Sequence, residues 1–412
     1  MGKKINYNVL ILGSDANAYY MARCYYELYH KKVYILEKQP FPYTTYSSIV
    51  DITHNEKIWD EEEFLKAIYK FKEEHNNYLT LLISTNESYA SFISKNSSKL
   101  KKDGFTFNYP SINIVETLIM KEKFYKTYSN SIIKVPKTFY IDCSKKISFD
   151  NEITYPIILK PSNVIIYNHI SFEGKKKIYQ ITSKEELLIT ADKIKKAGYD
   201  DYLIVQDFIP GDDSYLFDAV AYVNSNYEVE LLTLAQIGLQ EHSGSMVGNA
   251  AVLINGYNQY TTSEEIVSAM KKFLEDTHYQ GFCEFDLKYD YRDNTFKVLE
   301  INARQGRCSY YLAMLGYNLV ELLINDLIYH KRNKFKFIDD KVLLTFVPRG
   351  IIKKYILNKE YQEEVLKLWK YRENPLYYKE DKSIIRKLWL LKRGYHYYKE
   401  YKYGYWDSKI KE

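Results

Sequence analysis

Apolar and polar segments alternate over the first 115 residues at the spacing of a β-α-β fold. Three short apolar runs predict strands, and longer segments with one apolar face predict helices between them. The predicted strands are 8–12, 32–36 and 78–84, and the predicted helices are 17–29 and 61–74. Strands that alternate with helices form a parallel sheet with a ligand crevice at the strand ends. The pattern therefore predicts a parallel α/β domain over residues 1–115.

Shorter apolar runs after residue 135 predict a second, α+β architecture with antiparallel strands. A predicted helix at 111–127 precedes them. The predicted strands are 138–141, 157–160, 203–207, 216–223, 228–235, 282–289 and 296–301, with helices at 183–197 and 263–277. We therefore expect domains at 1–115, 116–200 and 201–330. An extension, 331–412, mixes short helical segments with aromatic clusters.

Basic residues are concentrated in this extension. The whole chain carries 58 Lys and Arg against 53 Asp and Glu, a formal net charge of +5. Residues 331–412 contain 22 basic and 11 acidic residues, a net of +11, which leaves −6 for the first 330 residues. The basic extension would form a positively charged surface that faces an anionic substrate or associates weakly with an anionic membrane surface. A solvated helical face is the alternative.

Cysteine use and hydropathy lead us to expect a cytoplasmic protein. The four cysteines are scattered and form no C-x-x-C pair, which argues for a reducing compartment and against a disulfide scaffold or zinc site. The first apolar run is too short for a signal peptide. No segment approaches the ~20 apolar residues of a membrane span.

Two carboxylates and an amide lie on neighbouring predicted strands. Glu300 and Asn302 are two residues apart, so their side chains lie on the same face of one strand. Asp286, on the preceding strand, can reach the same space. Oxygen ligands of this kind suit Mg²⁺, which would bridge phosphate oxygens. A solvent-facing strand edge, where acidic residues are common, is the alternative.

Two lysines are candidate phosphate ligands. Lys160 ends an apolar strand and is followed by Pro161, a position where a buried-side lysine needs an explanation. A phosphate would supply one, because an ammonium group is a compact point charge. Lys123 lies in the predicted helix 111–127, near the N-terminal end of the same domain. Each could equally be an ordinary solvated lysine.

The strand at 203–207 ends in a Pro-Gly turn followed by two acids. In such a hinge, exposed backbone N–H and C=O groups can read an adenine edge, and Asp213 can bind ribose hydroxyls. An ordinary hairpin is the alternative.

Two candidate flexible loops flank this hinge in the sequence, a glycine and lysine loop and a small-residue loop. The loop 171–177 contains Gly174 and Lys176 and is suited to closing over phosphates. The loop 242–249 would admit a substrate, and its His242 is a candidate general base or a structural histidine.

The order of these features resembles the ATP-grasp superfamily, over residues 115–310 in detail, and the front domain fits the domain that precedes that fold. The resemblance implies that ATP activates a carboxylate as an acyl phosphate, which an amine then attacks. It implies a small lid subdomain at 116–200 and a large subdomain at 201–330. The implied nucleotide-binding residues are Lys123 and Lys160 at the phosphates, Gly174 and Lys176 in the loop over them, Gln206 and Ile209 at adenine, and Asp213 at ribose. The implied ligands of two Mg²⁺ ions are Asp286, Glu300 and Asn302.

Four segments resemble the D-aspartate ligase branch of the superfamily. They are Gly13-Ser14-Asp15-Ala16-Asn17-Ala18-Tyr19, Lys160-Pro161-Ser162-Asn163, Phe172-Glu173-Gly174-Lys175-Lys176 and Asn302-Ala303-Arg304-Gln305-Gly306-Arg307. Those enzymes join the β-carboxylate of D-aspartate to the lysine side chain of a peptidoglycan stem peptide. The resemblance therefore implies D-aspartate as a substrate and a muropeptide as the amine acceptor.

The same resemblance implies catalytic roles for Arg304, Arg307 and Lys160. The arginines would stabilise the oxyanion or clamp the dicarboxylate, and the lysine would neutralise the transferring phosphoryl group. Two positions depart from the superfamily pattern. Ala303 replaces a proline, and Gln206 stands where many members have glutamate. Another amino-acid, dipeptide or natural-product amide ligase is the alternative function.

Two other classes of function fit less of the chain. A nicotinamide dehydrogenase would use Glu37, 24 residues after Gly13, but only one glycine stands where G-x-G-x-x-G is required. A nucleic-acid-binding module would use the basic, tyrosine-rich extension. The net negative charge of the rest of the chain argues against it, and no nucleic-acid partner is expected.

Overall fold

The computed structural model describes residues 6–242 and 246–408. Of the loop predicted to admit a substrate, Ser243, Gly244 and Ser245 lie outside the described residues. All four cysteines are free and buried. Among the described helices, none has the length and apolar character needed to cross a membrane.

A parallel sheet forms the N-terminal domain, as predicted. Its strands are β1 (Tyr7–Leu12), β2 (Val33–Glu37), β3 (Val50–His54), β4 (Leu79–Ser84) and β5 (Phe105–Thr106), in the order β3-β2-β1-β4-β5. Its helices are α1 (Ala16–Tyr29), α2 (Pro42–Thr45), α3 (Glu61–Glu74), α4 (Glu87–Lys95) and α5 (Ser97–Lys102). The apolar pattern missed β3 and β5, because β3 is a partly exposed edge strand and β5 has two residues.

The carboxyl ends of β1 and β4 meet at one edge of this sheet. Gly13 turns the chain there with φ +127°, and a Cβ on it would lie 1.9 Å from Thr85 Oγ1, so the turn requires glycine. Asp15 then caps α1 by accepting a hydrogen bond from the Ala18 amide at 3.1 Å. This edge faces the rest of the molecule and places Asp15 and Glu87 beside the site described below.

An antiparallel sheet of four strands forms the next unit. Its elements are α6 (Ile112–Ile119), α7 (Lys121–Tyr128), β6 (Thr138–Asp142), β7 (Ile157–Pro161), α8 (Val164–His169), β8 (Tyr179–Ile181), α9 (Lys184–Lys196) and β9 (Tyr202–Asp207). The strand order is β6-β9-β7-β8. The predicted single helix is two helices, because Met120 between them has extended backbone angles. On β7, Ile157 and Leu159 pack in the core, so Lys160 points to the opposite face.

A mainly antiparallel sheet of eight strands forms the large subdomain. Its strands are β10 (Leu216–Val223), β11 (Val229–Thr233), β12 (Ala235–Gln240), β13 (Ala250–Asn255), β14 (Gly281–Asp290), β15 (Thr295–Asn302), β16 (Lys336–Ile338) and β17 (Val342–Thr345). The main order is β15-β14-β10-β12-β13-β17, and β11 pairs with β10 and, in parallel, with β16. Helices α10 (Glu264–Asp276), α11 (Tyr310–Met314) and α12 (Leu319–Leu327) complete it. The strand predicted at 228–235 is observed as β11, but it ends at Thr233, and the chain from Ala235 forms a separate strand, β12, that was not predicted.

The basic extension begins within this sheet and ends in a long helix. The division proposed at 331 precedes β16 and β17, which belong to the eight-stranded sheet. After them come α13 (Arg349–Tyr355), α14 (Lys359–Leu368) and α15 (Ile384–Ser408). Asp381, just before α15, accepts hydrogen bonds from Ser47, Ser48 and Tyr19 and pairs with Arg386 at 3.2 Å. These buried contacts tie the extension back to the N-terminal domain.

Candidate active site

Lys160 and Gln206 meet in the cleft between the two antiparallel sheets. Lys160 Nζ donates to Gln206 Oε1 at 3.1 Å and to Tyr125 Oη at 3.0 Å. Gln206 Nε2 in turn donates to Thr138 Oγ1 at 2.9 Å. Burial, assisted by the nearby charge of Lys121, lowers the pKa of Lys160 to about 7. The lysine is thus buried without a carboxylate partner of its own, and an anionic ligand would favour its charged form.

Lys121 is the lysine of α7 that reaches the predicted metal residues. Its Nζ lies 2.7 Å from Glu300 Oε1. Burial opposes ionisation of Glu300, but the charge of Lys121, with those of Lys160 and Lys177, outweighs it and lowers the pKa to about 2. The structure does not bring Lys123 into this group. Lys123 is exposed, and it lies about 200° around the helix from Lys121.

Four acidic side chains and one amide cluster where β10, β14 and β15 pair. Asp286 lies opposite Glu300 and Asp218, and Glu284 lies opposite Asn302. Asn302 Nδ2 is 3.3 Å from both Glu284 Oε2 and Asp286 Oδ2. Burial and mutual repulsion raise the pKa of Asp286 and Glu284 well above their usual range, and that of Asp218 to about 7. The cluster therefore holds more buried carboxylates than neighbouring cations can balance.

This donor set fits Mg²⁺ bound together with phosphate. Within residues 6–242 and 246–408, no three His, Cys, Asp or Glu side chains form a metal site by themselves. The predicted set contains only two carboxylates, Asp286 and Glu300, and the amide oxygen of Asn302. Protein Mg²⁺ sites of one or two carboxylates are completed by substrate phosphates and water. Exchanging the side-chain oxygen and nitrogen of Asn302, an amide flip, would point its oxygen toward the metal position.

Arg304 joins the acid cluster to the N-terminal domain. Its Nη2 lies 2.6 Å from Glu87 Oε1, and its Nη1 lies 3.6 Å from Glu284 Oε2. Burial opposes its charge, but Glu87, Glu284 and Asp15 outweigh this and raise the pKa of Arg304. A small crevice beside it is lined by Ser84, Asn108 and Tyr109, among others. The edge of the parallel sheet thus supplies one wall of the site.

Arg307 lies in a second buried cluster, which involves the C-terminal helix. Its Nη2 donates to Glu241 Oε1 at 2.6 Å, and Tyr397 Oη donates to the same oxygen at 3.0 Å. Arg393 Nη2 donates to Tyr397 Oη at 3.0 Å. Nε and Nη1 of Arg307, and Nε of Arg393, find no hydrogen-bond acceptor among the described residues. The cluster thus has two guanidinium groups, one carboxylate and unused donors.

The predicted ribose residue lies at the end of the hinge. Ile209 is buried just after β9, and Asp213 begins a 3₁₀ turn, Asp213–Tyr215. An Asp213 oxygen accepts from the Gln240 amide at 2.9 Å and lies 3.6 Å from His242 Nε2. His242 packs against the rings of Tyr401 and Tyr405 of α15. The candidate base therefore lies in an aromatic environment beside Asp213.

The predicted phosphate loop lies between α8 and β8. Gly174 has φ +78°, a conformation that favours glycine. The backbone of Lys176 is held by Tyr167 and Tyr179, with hydrogen bonds of 2.7 Å and 2.9 Å. Neither Gly174 nor the Lys176 side chain makes a contact with the acid cluster among the described residues. Lys177 is the loop residue whose charge reaches Glu300.

Several residues of the site were missed by the sequence analysis. Glu284 precedes Asp286 by two residues on β14, and this Glu-x-Asp spacing facing Glu-x-Asn was a detectable signal. Asp218, a lone acid in the apolar strand β10, was another. Glu241 and Tyr397 had no such signal, because they are 156 residues apart in the chain.

Solved structures of several enzymes share this fold. No family model matches the sequence. An L-amino acid ligase from Bacillus licheniformis superposes with a TM-score of 0.56 and 17% identity, covering 79% of this chain and 75% of that one. The biotin carboxylase domain of Hydrogenobacter thermophilus 2-oxoglutarate carboxylase, solved with MgADP, ADP and bicarbonate, superposes with a TM-score of 0.58 and 13% identity, covering 81% and 72%. These similarities show that the chain shares the fold of these enzymes.

Sequence similarity to a curated protein gives the family. The chain is 32% identical over 396 residues to the D-aspartate ligase of Enterococcus faecium (strain Aus0004), covering 91% of each chain. It belongs to the D-aspartate ligase family and is therefore an ATP-grasp ligase that forms C–N bonds between a carboxylate and an amine. The resemblance inferred from the motif order is thus confirmed.

Proposed function

We propose that the protein uses Mg-ATP to activate the β-carboxylate of D-aspartate and joins it to the lysine side chain of a peptidoglycan stem peptide. The observation that carries this proposal is the buried Arg307 cluster. It contains two guanidinium groups for the single carboxylate of Glu241, and several of its donors lack acceptors. A dicarboxylate substrate supplies the anionic group that this cluster lacks.

Arg304 serves the reacting end of the substrate in this proposal. It lies between the acid cluster at Glu284 and the strand edge at Glu87. The charges of Asp218, Glu284 and Arg307 all influence the pKa of Cys308, the residue next to Arg307 in the chain. The Arg307 cluster therefore adjoins the acid cluster that Arg304 contacts. One carboxylate of aspartate would meet Arg307 while the other faces the phosphates beside Arg304. Asp15 and Glu87, the two acids near Arg304, suit the ammonium group of the substrate.

The lysine side of the cleft binds the nucleotide phosphates. Lys160 lies on the face of β7 that points into the cleft, and Lys121 lies beside Glu300. Because Lys123 lies on the other side of α7, we propose that Lys121 takes the phosphate role predicted for Lys123, and that the loop containing Gly174 and Lys176 adds further contacts to the phosphates. Gln206 and Ile209 would contact adenine, and Asp213 would bind the ribose. Catalysis is then positioning plus neutralisation of charge on the transferring group.

Asp286, Glu300 and Asn302 would hold Mg²⁺, and we propose two ions. When bound, the metal supplies charge neutralisation at the β- and γ-phosphates. The buried, mutually repelling carboxylates of this cluster suit a cation chemically. Glu300 is paired with Lys121 in the free protein, so this lysine keeps the carboxylate ionised for the metal.

Two steps follow. An oxygen of the β-carboxylate attacks the γ-phosphorus of ATP and the bond to the β-phosphate oxygen breaks, giving aspartyl phosphate and ADP. The neutral amine of the acceptor lysine then attacks the acyl carbon, and phosphate leaves as the amide forms and the amine loses a proton. Arg304 stabilises the oxyanion that develops on the carbonyl oxygen. We place this reaction in the cytoplasm.

A ligase for another amino acid, or for a dipeptide or natural-product amide, is the second candidate. The fold similarity to an L-amino acid ligase favours it. The two candidates differ in the group that Arg307 binds. A ligase for neutral amino acids would accept substrates with a single carboxylate and would gain nothing from the unused arginine donors.

Glu300→Gln tests the proposed activation step. The substitution keeps the shape of the side chain and removes the charge that pairs with Lys121 and would hold Mg²⁺. We expect D-aspartate-dependent ADP release to fall by about a hundredfold or more, since the metal contributes several kcal/mol to such reactions. Glu265→Gln is the matched control, because Glu265 is 82% exposed and makes only a surface ion pair. Normal turnover by Glu300→Gln would overturn the metal assignment.

A further inference from the structure

The outward face of α15 carries most of the strongly exposed apolar side chains of the described chain. Among the described residues, eight large apolar side chains are more than 60% exposed, and six of them are on this helix. The other two are Ile189 and Tyr371. Large apolar groups on a soluble surface usually occur singly, and their concentration marks an interaction surface.

Four of these six side chains, together with Tyr398, form one stripe along the helix. Ile384, Leu388, Leu391, Tyr395 and Tyr398 follow one another at spacings of four, three, four and three residues, and are 46–79% exposed. Residues at this spacing lie on one side of an α-helix. The stripe runs for about 21 Å along the helix axis. We call it the apolar stripe.

The opposite face of α15 is anchored in the protein. Arg386 is buried in its ion pair with Asp381, Tyr397 bonds to Glu241, and Tyr401 Oη donates to the Gln240 carbonyl at 2.6 Å. Leu390 is also buried. The helix therefore cannot rotate to bury the apolar stripe without breaking these contacts, and the stripe faces outward on a fixed support.

Lysines flank the apolar stripe. Lys387, Lys392, Lys399 and Lys402 are all exposed. The helix has no acidic residue from Ile384 to Lys399. An apolar stripe with basic flanks is the pattern of helices that lie in the interface of a membrane. A second copy of this helix would oppose lysine to lysine, so like-charge repulsion disfavours self-association through this face.

We propose that α15 docks the protein on an anionic phospholipid surface, with the apolar stripe inserted among the lipids and the lysines at the headgroups. This inference goes beyond the proposed ligase reaction and does not depend on it. The acidic lipids supply the negative charge that pairs with the lysines, worth about fivefold in binding for each lysine near the surface. Tyr397, which belongs to the Arg307 cluster, lies on the other face of the same helix.

Vesicle co-sedimentation of the full-length protein tests the proposal. We expect binding to equimolar phosphatidylcholine and phosphatidylglycerol vesicles at low ionic strength, weaker binding at high ionic strength, and little binding to phosphatidylcholine alone. The double variant Leu388→Glu and Leu391→Glu should bind at least about tenfold more weakly, because charge replaces the inserting groups. The matched control is Ile189→Glu, an exposed apolar residue on α9, which should bind as the wild type does.

Ligase turnover without vesicles should be unchanged in the double variant, which verifies its fold. If that variant does not fold, Lys392→Glu with Lys399→Glu should lose the preference for phosphatidylglycerol instead. Three results would overturn the proposal: no binding of the wild type to anionic vesicles, equal binding by wild type and variants, or a wild-type dimer in sedimentation that the double variant abolishes.

Discussion

The buried ammonium of Lys160 makes ATP binding depend on pH. Its pKa is about 7 in the free protein, because burial and the charge of Lys121 both disfavour protonation. Triphosphate in the cleft reverses this preference, since a nearby anion stabilises the charged lysine. ATP binding therefore takes up a proton when the pH is above the pKa, and the affinity for ATP falls as the pH rises.

The size of the effect follows from the fraction of neutral lysine. The apparent dissociation constant is proportional to one plus the ratio of neutral to charged Lys160, provided that the bound form is protonated. With a pKa of about 7, that ratio is about 3 at pH 7.5 and about 30 at pH 8.5. We therefore expect the dissociation constant for Mg-ATP to rise about eightfold over this interval.

Calorimetric titration of Mg-ATP without amino acid provides the measurement. The terminal phosphate titrates near pH 6, so it contributes little over the chosen interval. Lys160→Arg keeps a charged side chain and should bind with an affinity that hardly changes with pH. Lys160→Met should bind more weakly and also without pH dependence. Lys196→Met, at an exposed lysine on α9, should retain the wild-type dependence. A wild-type dissociation constant that stays constant over this interval would refute the reasoning.

Three further changes test other parts of the structure. Arg307→Lys should raise the KM for D-aspartate by about tenfold to a hundredfold, the value of a hydrogen bond between charged groups, and leave the KM for ATP unchanged in steady-state kinetics. Gly306→Ala should lower the free energy of unfolding by about 1–3 kcal/mol in chemical denaturation and reduce turnover, whereas Gly394→Ala should not. The reason is that a Cβ on Gly306 would lie 1.5 Å from the buried Glu284 carboxylate, while one on Gly394 meets an ordinary contact at 3.8 Å. Asp381→Asn should lower the free energy of unfolding by about 3 kcal/mol in the same assay, because it leaves the buried guanidinium of Arg386 without its carboxylate partner. The pKa of Asp381 is lowered in the folded protein, so the stabilisation from its charge is present above the unfolded pKa and is lost as the pH falls through the folded pKa.

Much of the fold was predictable because its elements have clear periodicity. The apolar runs of β1, β2 and β4 and the helices between them predicted the parallel sheet, and β10 was predicted with its observed bounds. The division of the run 229–240 into β11 and β12 was not predictable from periodicity. It depends on partners far along the chain, since β11 also pairs with β16.

The site was predictable where its residues share a strand or a known order. Glu300 and Asn302 lie where strand alternation puts them, and Lys160 faces the cleft. The choice between Lys121 and Lys123 was not available from sequence, because it depends on how α7 is rotated against β15. The role of Tyr397 was also hidden, since only the tertiary fold brings α15 against Glu241.

The most direct test of the central claim is ADP release by the full-length protein with D- and L-amino acids, with and without a lysine-containing muropeptide. We predict that release requires D-aspartate and that the muropeptide accelerates it, with a product heavier by one aspartyl residue in mass spectrometry. Lack of turnover with D-aspartate, or faster turnover with L-aspartate or a neutral amino acid, would contradict the account.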